Sequence, residues 1–313
     1  MGEVIALLAP GQGAQSPGML APWLALEGAA TRIATWSAAT GLDLARLGTT
    51  ADAEEIKDTA VTQPLVVALS LLAAEELARR MDLPADAPVA GHSVGELTAA
   101  SVAGVLTADE AVAFAAVRGR EMAAACALES TGMSAVLGGD PDEVTAILIR
   151  LGLDAANRNG AGQVVAAGPS DALAALAQGK PDRARVMPLH VAGAFHTRFM
   201  APAEQALAEY AAQLTVKDPA RPLLSNADGE VVGEGAEMLR RLVAQVTKPI
   251  RWDSCMARLS TLGVTATVEL PPAGTLSGLV KRDLKGTVTL ALKDPDDLDR
   301  AAGLISDHSG SLA

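Results

Sequence analysis

Aromatic side chains are nearly missing from this chain: three Phe, one Tyr and three Trp in 313 residues. Its core must therefore be built from Ala, Val and Leu. Half the residues are hydrophobic and a fifth are charged, the balance of a globular chain rather than a disordered one. Cysteine is also scarce. Cys126 and Cys255 lie far apart and in no metal-ligand spacing, which excludes a disulfide framework and suits buried free thiols in a reducing compartment. Positive charge is in deficit, with 25 Lys and Arg against 37 Asp and Glu and a formal charge of −12. Nucleic acid is therefore not an expected partner, although a local basic patch remains compatible. No uninterrupted apolar stretch reaches membrane-spanning length. Met1 to Ile5 carries no basic region before its short apolar run and no cleavage-like site. These absences predict no membrane partner and a cytoplasmic location. The length slightly exceeds what one core usually supports, so a large domain with a smaller inserted or appended one is expected.

What is present centres on Ala90-Gly91-His92-Ser93-Val94-Gly95-Glu96, a G-x-S-x-G sequence. A short apolar run, Ala87 to Ala90, leads into it, and an apolar helical pattern, Leu97 to Val105, follows. This is the strand, sharp turn and helix that a nucleophile elbow needs. Glycines tolerate the close backbone approach at such a turn. The free N–H groups and positive dipole at the helix start can stabilise an oxyanion.

The surrounding chain reads as α/β. Val4 to Leu8 is a buried strand ending in Pro10-Gly11-Gln12-Gly13-Ala14-Gln15, a tight loop placed to line a ligand crevice. Helical patterns then run to about residue 80. The strongest starts at Thr62 as N-cap with Pro64 in its first turn. A long helix from about Asp109 to Cys126 contains Arg118 among mostly apolar neighbours. A buried Arg needs a carboxylate: either a ligand's, or that of Glu121 in an internal salt bridge. Between about Ser130 and Val191 the order is β-α-β-β-α-β: strands at Met133–Leu137, Asp154–Asn157, Gln163–Ala167 and Arg185–Leu189, with helices after Asp140-Pro141 and Ser170-Asp171. That order is ferredoxin-like, and it predicts a small inserted domain over residues 129–191. Residues 1–128 and 192–313 then form the large catalytic domain. Strands at 264–270 and 287–292 return to its sheet. A helix follows Asp294-Pro295, and Ser309 to Ala313 read as a disordered tail.

Serine needs a neighbouring base, and only four histidines exist. His92 adjoins Ser93 in the turn, where successive side chains rarely face each other, so it reads as a packed or hydrogen-bonded residue. His190 ends a strand of the small domain, and His308 is near the tail. His196, in the Gly193-Ala194-Phe195-His196 loop entering the large domain, is the best base by elimination. No acid presents itself in a motif to orient it, so a backbone carbonyl could serve.

Together, Pro10–Gln15, Gln63-Pro64, Gly91–Glu96, Arg118-Gly119, Asn157-Arg158-Asn159, Gly193–His196, Gln245–Trp252 and Leu276–Leu279 resemble the malonyl-CoA:acyl-carrier-protein transacylases, in order and spacing, over nearly the whole chain. The likeness is greatest to the free-standing enzymes of dissociated fatty-acid and polyketide synthesis. It implies an α/β-hydrolase-like large domain carrying the ferredoxin-like insertion. It further implies that Ser93 carries the malonyl ester and that His196 is base and then acid. Arg118 would pair with the malonate carboxylate, which a rigid guanidinium fork can hold bidentately. The backbone N–H groups of Gln12 and Val94 would form the oxyanion hole, and the Gln245 carbonyl would orient His196. Gln63, Asn157 and Asn159 would bind substrate, and Phe195 and Val94 resemble malonyl-selective members. Phe195 would oppose an α-methyl group, a preference of about 1–3 kcal/mol per methylene. Malonyl-CoA and an acyl carrier protein are the implied partners; phosphopantetheine arrives on the carrier, and no cofactor or metal is called for.

One departure is visible. Where the family has Glu-x-Gly-Pro-Gly, this chain has Glu269-Leu270-Pro271-Pro272-Ala273, so that loop could differ in geometry. An acidic carrier would want a basic rim, for which Lys180, Arg183, Arg198, Lys248, Arg251, Lys281 and Arg282 are available. Two other activities fit the same residues less well. A serine thioesterase or esterase would face a neutral acyl chain with a buried cation, which is costly. An inactive acyl-CoA-binding protein would need neither nucleophile nor base.

Overall fold

The structure, a computed structural model, describes residues 3–308; the tail Ser309 to Ala313, expected to be disordered, lies outside the described residues. The apolar run near the N-terminus forms β1 (Val4–Ala9), and β2 (Val89–Gly91) lies beside it in parallel, with Ala9 opposite Gly91. The next four strands are β3 (Thr131–Gly138), β4 (Asp154–Gly160), β5 (Gln163–Pro169) and β6 (Ala184–Pro188). The remaining strands are β7 (Leu223–Leu224), β8 (Val231–Val232), β9 (Ile250–Arg251), β10 (Val264–Glu269) and β11 (Val288–Ala291).

The larger sheet has the order β11-β10-β1-β2-β7-β8 and is parallel except for the β7–β8 pair. A parallel sheet is covered on both faces, so its strands read as continuous apolar runs. In β1, alternate side chains go to opposite faces: Ile5, Leu7 and Ala9 join one apolar cluster, Ala6 and Leu8 the other. Because β1 and β2 are neighbours, the loop at 10–15 and the elbow after β2 open into one crevice at the carboxyl edge of the sheet. All three tryptophans, Trp23, Trp36 and Trp252, are fully buried, which concentrates the few large rings where small aliphatic side chains alone would leave voids.

The helix Thr59–Ala78 packs against the helix Ala108–Cys126. By length and hydropathy Thr59–Ala78 could cross a membrane, but most of it is buried inside the protein. Its start differs from expectation. Asp58, not Thr62, is the N-cap and accepts from the Ala60 N–H, so Pro64 lies inside the helix. The Asp side chain reaches a free N–H one turn earlier than the proline signal indicated, and burial on all sides offsets the one backbone bond that Pro64 removes.

The small sheet has the order β6-β3-β5-β4, antiparallel, backed by the helices Pro141–Leu151 and Ser170–Gln178. This is the β-α-β-β-α-β unit expected. Asp140 caps its first helix through the N–H groups of Asp142 and Glu143. The sheet also has a fifth strand. β9 joins β4 in parallel, Asn157 opposite Ile250 and Arg158 opposite Arg251. Two residues following Pro249 give no periodic signal, so this link between the segments was not legible in the sequence.

Candidate active site

Ser93 stands at the turn between β2 and the helix Gly95–Val102 with φ of 53°, in the left-handed region. The turn is closed against β1. A Cβ on Gly91 would meet the Gly95 carbonyl at 2.1 Å, and one on Gly95 would meet the Ala9 oxygen at 2.3 Å. The glycines of the motif are thus required by space, and the serine between them is held in a conformation that its neighbours enforce.

Ser93 Oγ lies 2.8 Å from His196 Nε2, and His196 Nδ1 lies 2.8 Å from the Gln245 carbonyl oxygen. A carbonyl only accepts, so Nδ1 carries the proton and Nε2 is free to take one from the serine. His196 also has a left-handed backbone, φ 61°. It is buried, and burial together with the positive charge of Arg118 pushes its pKa down to about 3, against the pull of the Gln245 carbonyl. The base is therefore neutral in the resting protein.

Arg118 is 2% exposed. It donates to Gln63 Oε1 at 2.7 Å, to Gln245 Oε1 at 2.8 Å and to Ser93 Oγ at 3.2 Å. The alternative partner, Glu121, turns away and pairs with Arg120 at 2.9 Å. All three hydrogen-bond acceptors of Arg118 are neutral, so the guanidinium keeps its charge for an anion. Burial pulls its pKa down to about 10, and the Glu96 charge works the other way.

The Ser93 N–H is taken by Asn226 Oδ1 at 2.8 Å, whereas no protein acceptor engages the N–H of Gln12 or Val94 among the described residues. Val94 directly precedes the helix Gly95–Val102, and Gln12 sits in the loop after β1. These two N–H groups are the ones available to a developing oxyanion. Asn226 was not marked by any motif, yet it ties the elbow twice, since its Nδ2 also donates to the Gly91 carbonyl at 2.8 Å. Glu96 follows directly on the G-x-S-x-G motif, and nothing in the sequence marks it further. It is buried, with its carboxyl pushed up to about 8 by burial, although the Asn226 N–H and the Gln245 amide favour the anion.

A cleft of about 710 Å³ opens above Ser93 and His196 and is lined by Gln12, Gln63, Phe195, Asn157 and Asn159 among others. The asparagines come from β4, so the small sheet forms one wall. Asn159 Oδ1 is 2.9 Å from His92 Nε2, which gives His92 the hydrogen-bonded role expected of it. Asn157 Oδ1 is buried with no hydrogen-bond partner among the described residues. Gln63 is tied to Arg118 and, through Nε2, to Met122 Sδ at 3.5 Å. Phe195 is buried beside His196, and Val94 is buried under the elbow. His190 also lines the cleft, and His308 lies 3.0 Å from Thr265 Oγ1.

The divergent loop keeps its frame. Glu269 accepts from the N–H groups of Gly274, Leu276 and Ser277 at 2.9, 2.9 and 2.7 Å, so its carboxylate holds the loop without the two missing glycines. Of the expected basic rim, Arg282 lines the cleft, and Lys57 lines it too. Arg251 pairs with Asp253, and Arg198 lies 3.7 Å from Asp154. Both cysteines are free; Cys255 is buried and Cys126 only partly so.

A serine–histidine pair at a strand–helix elbow, with free N–H groups beside it and a buried guanidinium in reach, defines an acyl-transfer site on an α/β scaffold. Residues 7–308 match the family model of the acyl transferase domain. The chain is 60% identical over 302 residues to the malonyl CoA-acyl carrier protein transacylase of Mycobacterium tuberculosis, covering 96% of this chain and all of that one. It is 32% identical to the Bacillus subtilis protein of the same name, over 97% of this chain and 98% of that one. The crystal structure of MCAT from Mycobacterium tuberculosis superposes with a TM-score of 0.93 at 59% identity, covering 96% of this chain and all of that one. A malonyl-transacylase solved with its type II PKS acyl-carrier protein superposes with a TM-score of 0.89 at 28% identity, over 96% of this chain and all of that one. The chain belongs to the malonyl-CoA:acyl-carrier-protein transacylase family.

Proposed function

We propose that this protein transfers the malonyl group from malonyl-CoA to the phosphopantetheine thiol of an acyl carrier protein, by way of a malonyl ester on Ser93. The observation that carries this reading is a buried cation, Arg118, placed 3.2 Å from a serine hydroxyl that is itself 2.8 Å from a neutral histidine. A site built for neutral acyl groups has no use for that charge.

In the first half-reaction His196 Nε2 takes the Ser93 proton as Oγ attacks the thioester carbonyl. The Gln12 and Val94 N–H groups receive the oxyanion. The carbon–sulfur bond then breaks, and the CoA sulfur leaves with the proton from His196. In the second, the carrier thiol gives its proton to His196 and attacks the ester; Ser93 leaves and is reprotonated. Arg118 holds the free carboxylate throughout, and Gln63 steadies Arg118. Gln245 fixes the tautomer of His196 through its carbonyl. Asn157, Asn159 and Phe195 shape the substrate wall. Every step uses groups of this chain, so neither metal nor resident cofactor enters. A reducing compartment, the cytoplasm, suits the free cysteines and the acyl-CoA substrate of this reading. Arg282, on the cleft wall, is the rim cation we assign to an acidic carrier.

The test is mass analysis of a phosphopantetheinylated carrier protein after incubation with malonyl-CoA and this protein. The carrier should gain one malonyl group, and a carrier without the pantetheine arm should gain none. Free malonate with an unloaded carrier would make the protein a thioesterase. No turnover with tight malonyl-CoA binding would make it a binding protein.

A further inference from the structure

Glu96 lies under the elbow, in the first turn of the helix Gly95–Val102, and is 1% exposed. Both of its oxygens receive N–H groups. Oε1 takes the backbone N–H of Asn226, and Oε2 takes the Gln245 carboxamide Nε2 at 2.6 Å. The Gln245 side chain continues the chain of contacts. Its Oε1 accepts from Arg118 Nη2 at 2.8 Å, while its Nε2 also reaches the Ser93 carbonyl at 3.2 Å. Its main-chain carbonyl holds His196.

We propose that Glu96 is a positioning residue for the transfer reaction: by fixing the carboxamide of Gln245 it holds the base and the guanidinium in register around Ser93. A carboxamide has a donor end and an acceptor end. Each Glu96 oxygen accepts an N–H here, so the carboxamide turns its donor end to Glu96 and its acceptor end to Arg118. The reverse orientation would set amide N–H against guanidinium N–H in a buried site and take from Glu96 Oε2 the N–H it accepts. Glu96 also sits one carboxamide away from the cation. Direct pairing would occupy the guanidinium fork; the intervening carboxamide links Glu96 to Arg118 while the fork keeps room for a ligand. A second branch runs through Asn226, whose N–H binds Glu96 and whose Oδ1 holds the Ser93 N–H at 2.8 Å.

This assignment rests on the malonyl-transfer reading, and the test separates the two. Single-turnover acylation of Ser93 by malonyl-CoA and by acetyl-CoA is measured per active site, for the unmodified protein, Glu96→Gln, Glu96→Asp, Gln245→Ala and the Glu96→Gln/Gln245→Ala pair. Glu96→Gln cannot accept from both donors, so the malonyl-over-acetyl ratio should fall about tenfold or more. Glu96→Asp keeps two acceptor oxygens and should recover part of that ratio. In the Gln245→Ala background, Glu96→Gln should change the ratio less than twofold, because the intermediary is gone. A residue that only supports folding would lower the fraction of active protein and leave the per-site ratio unchanged. An unchanged ratio, or effects that multiply in the double variant, overturns the proposal. If the unmodified protein takes up no malonyl group, the functional reading has failed on its own. The positioning role is then decided by exchange of the His196 Nδ1 proton, which Glu96→Gln should accelerate about tenfold; unchanged exchange overturns it.

Discussion

The guanidinium of Arg118 and the hydroxyl of Ser93 are hydrogen-bonded at 3.2 Å, so the cation we assign to the far end of the acyl group rests on the proposed nucleophile itself. Its remaining partners, Gln63 and Gln245, are neutral amides. A substrate carboxylate offers a charged acceptor, which is the stronger partner for a guanidinium, and its arrival should free the hydroxyl for His196. Arg118→Ala should therefore lower malonyl acylation about 10- to 100-fold and lower acetyl acylation much less. Arg118→Lys, a point charge without the fork, should fall between them. Rapid-quench acylation with the two thioesters measures both; an equal loss for the two would contradict the role.

The elbow and the small unit were legible because they depend on local signals. Gly91, Ser93 and Gly95 mark a turn that only glycines can close, and Asp140-Pro141 marks a helix start in which the Asp140 side chain does accept the expected N–H groups. His196 emerged by elimination, and the family resemblance placed its orienter at Gln245. Residues acting through tertiary contacts left no such trace. Asn226 follows a two-residue strand, and β9 is two residues long, too short for any period to register. Glu96 resembles any acid in the first turn of a helix; only the fold brings Gln245, 149 positions away, against it.

The pKa of His196 predicts the acid side of the pH profile. An imidazole held down to about 3 by burial and by Arg118, below its ordinary 6.5, stays neutral and basic as the solution is acidified. The rate of acylation, followed as kcat/KM for malonyl-CoA, should stay free of an inflection near pH 6.5. Stability behaves differently. The unfolded chain takes up this proton near 6.5 and the native state does not until about 3, so the unfolded state binds more protons in that window and stability falls as pH drops through it. His196→Gln should flatten that slope in denaturant unfolding; an unchanged slope would remove His196 as its source.

The closure of the elbow can be tested through stability. A methyl group on Gly95 would overlap the Ala9 carbonyl at 2.3 Å and the Pro10 carbonyl at 2.6 Å, both main-chain atoms with little room to move. Gly95→Ala should destabilise the protein by about 1–3 kcal/mol, seen as a lower urea midpoint, and should depress acylation by shifting Ser93. Gly104→Ala is the control for φ alone. That glycine has φ of 85° and open space around its Cβ, so it should reduce stability without altering acylation per active site.

Glu269 carries the frame of the divergent loop, taking three N–H groups at the start of the helix Thr275–Asp283. Glu269→Ala leaves those donors unpaired and should cost about 1–2 kcal/mol. Because Gly274, Thr275 and Leu276 line the cleft, it should also raise KM for malonyl-CoA. Thermal unfolding and steady-state kinetics together check this; a loss of stability with an unchanged KM would confine Glu269 to the scaffold.

Intact-protein mass after brief exposure to malonyl-CoA or acetyl-CoA tests the proposed malonyl ester on Ser93, selected by Arg118, most directly. A single malonyl-sized increase is expected with malonyl-CoA, little with acetyl-CoA, and none in Ser93→Ala. An adduct that survives in Ser93→Ala, or CoA released with no adduct at any time, would contradict it.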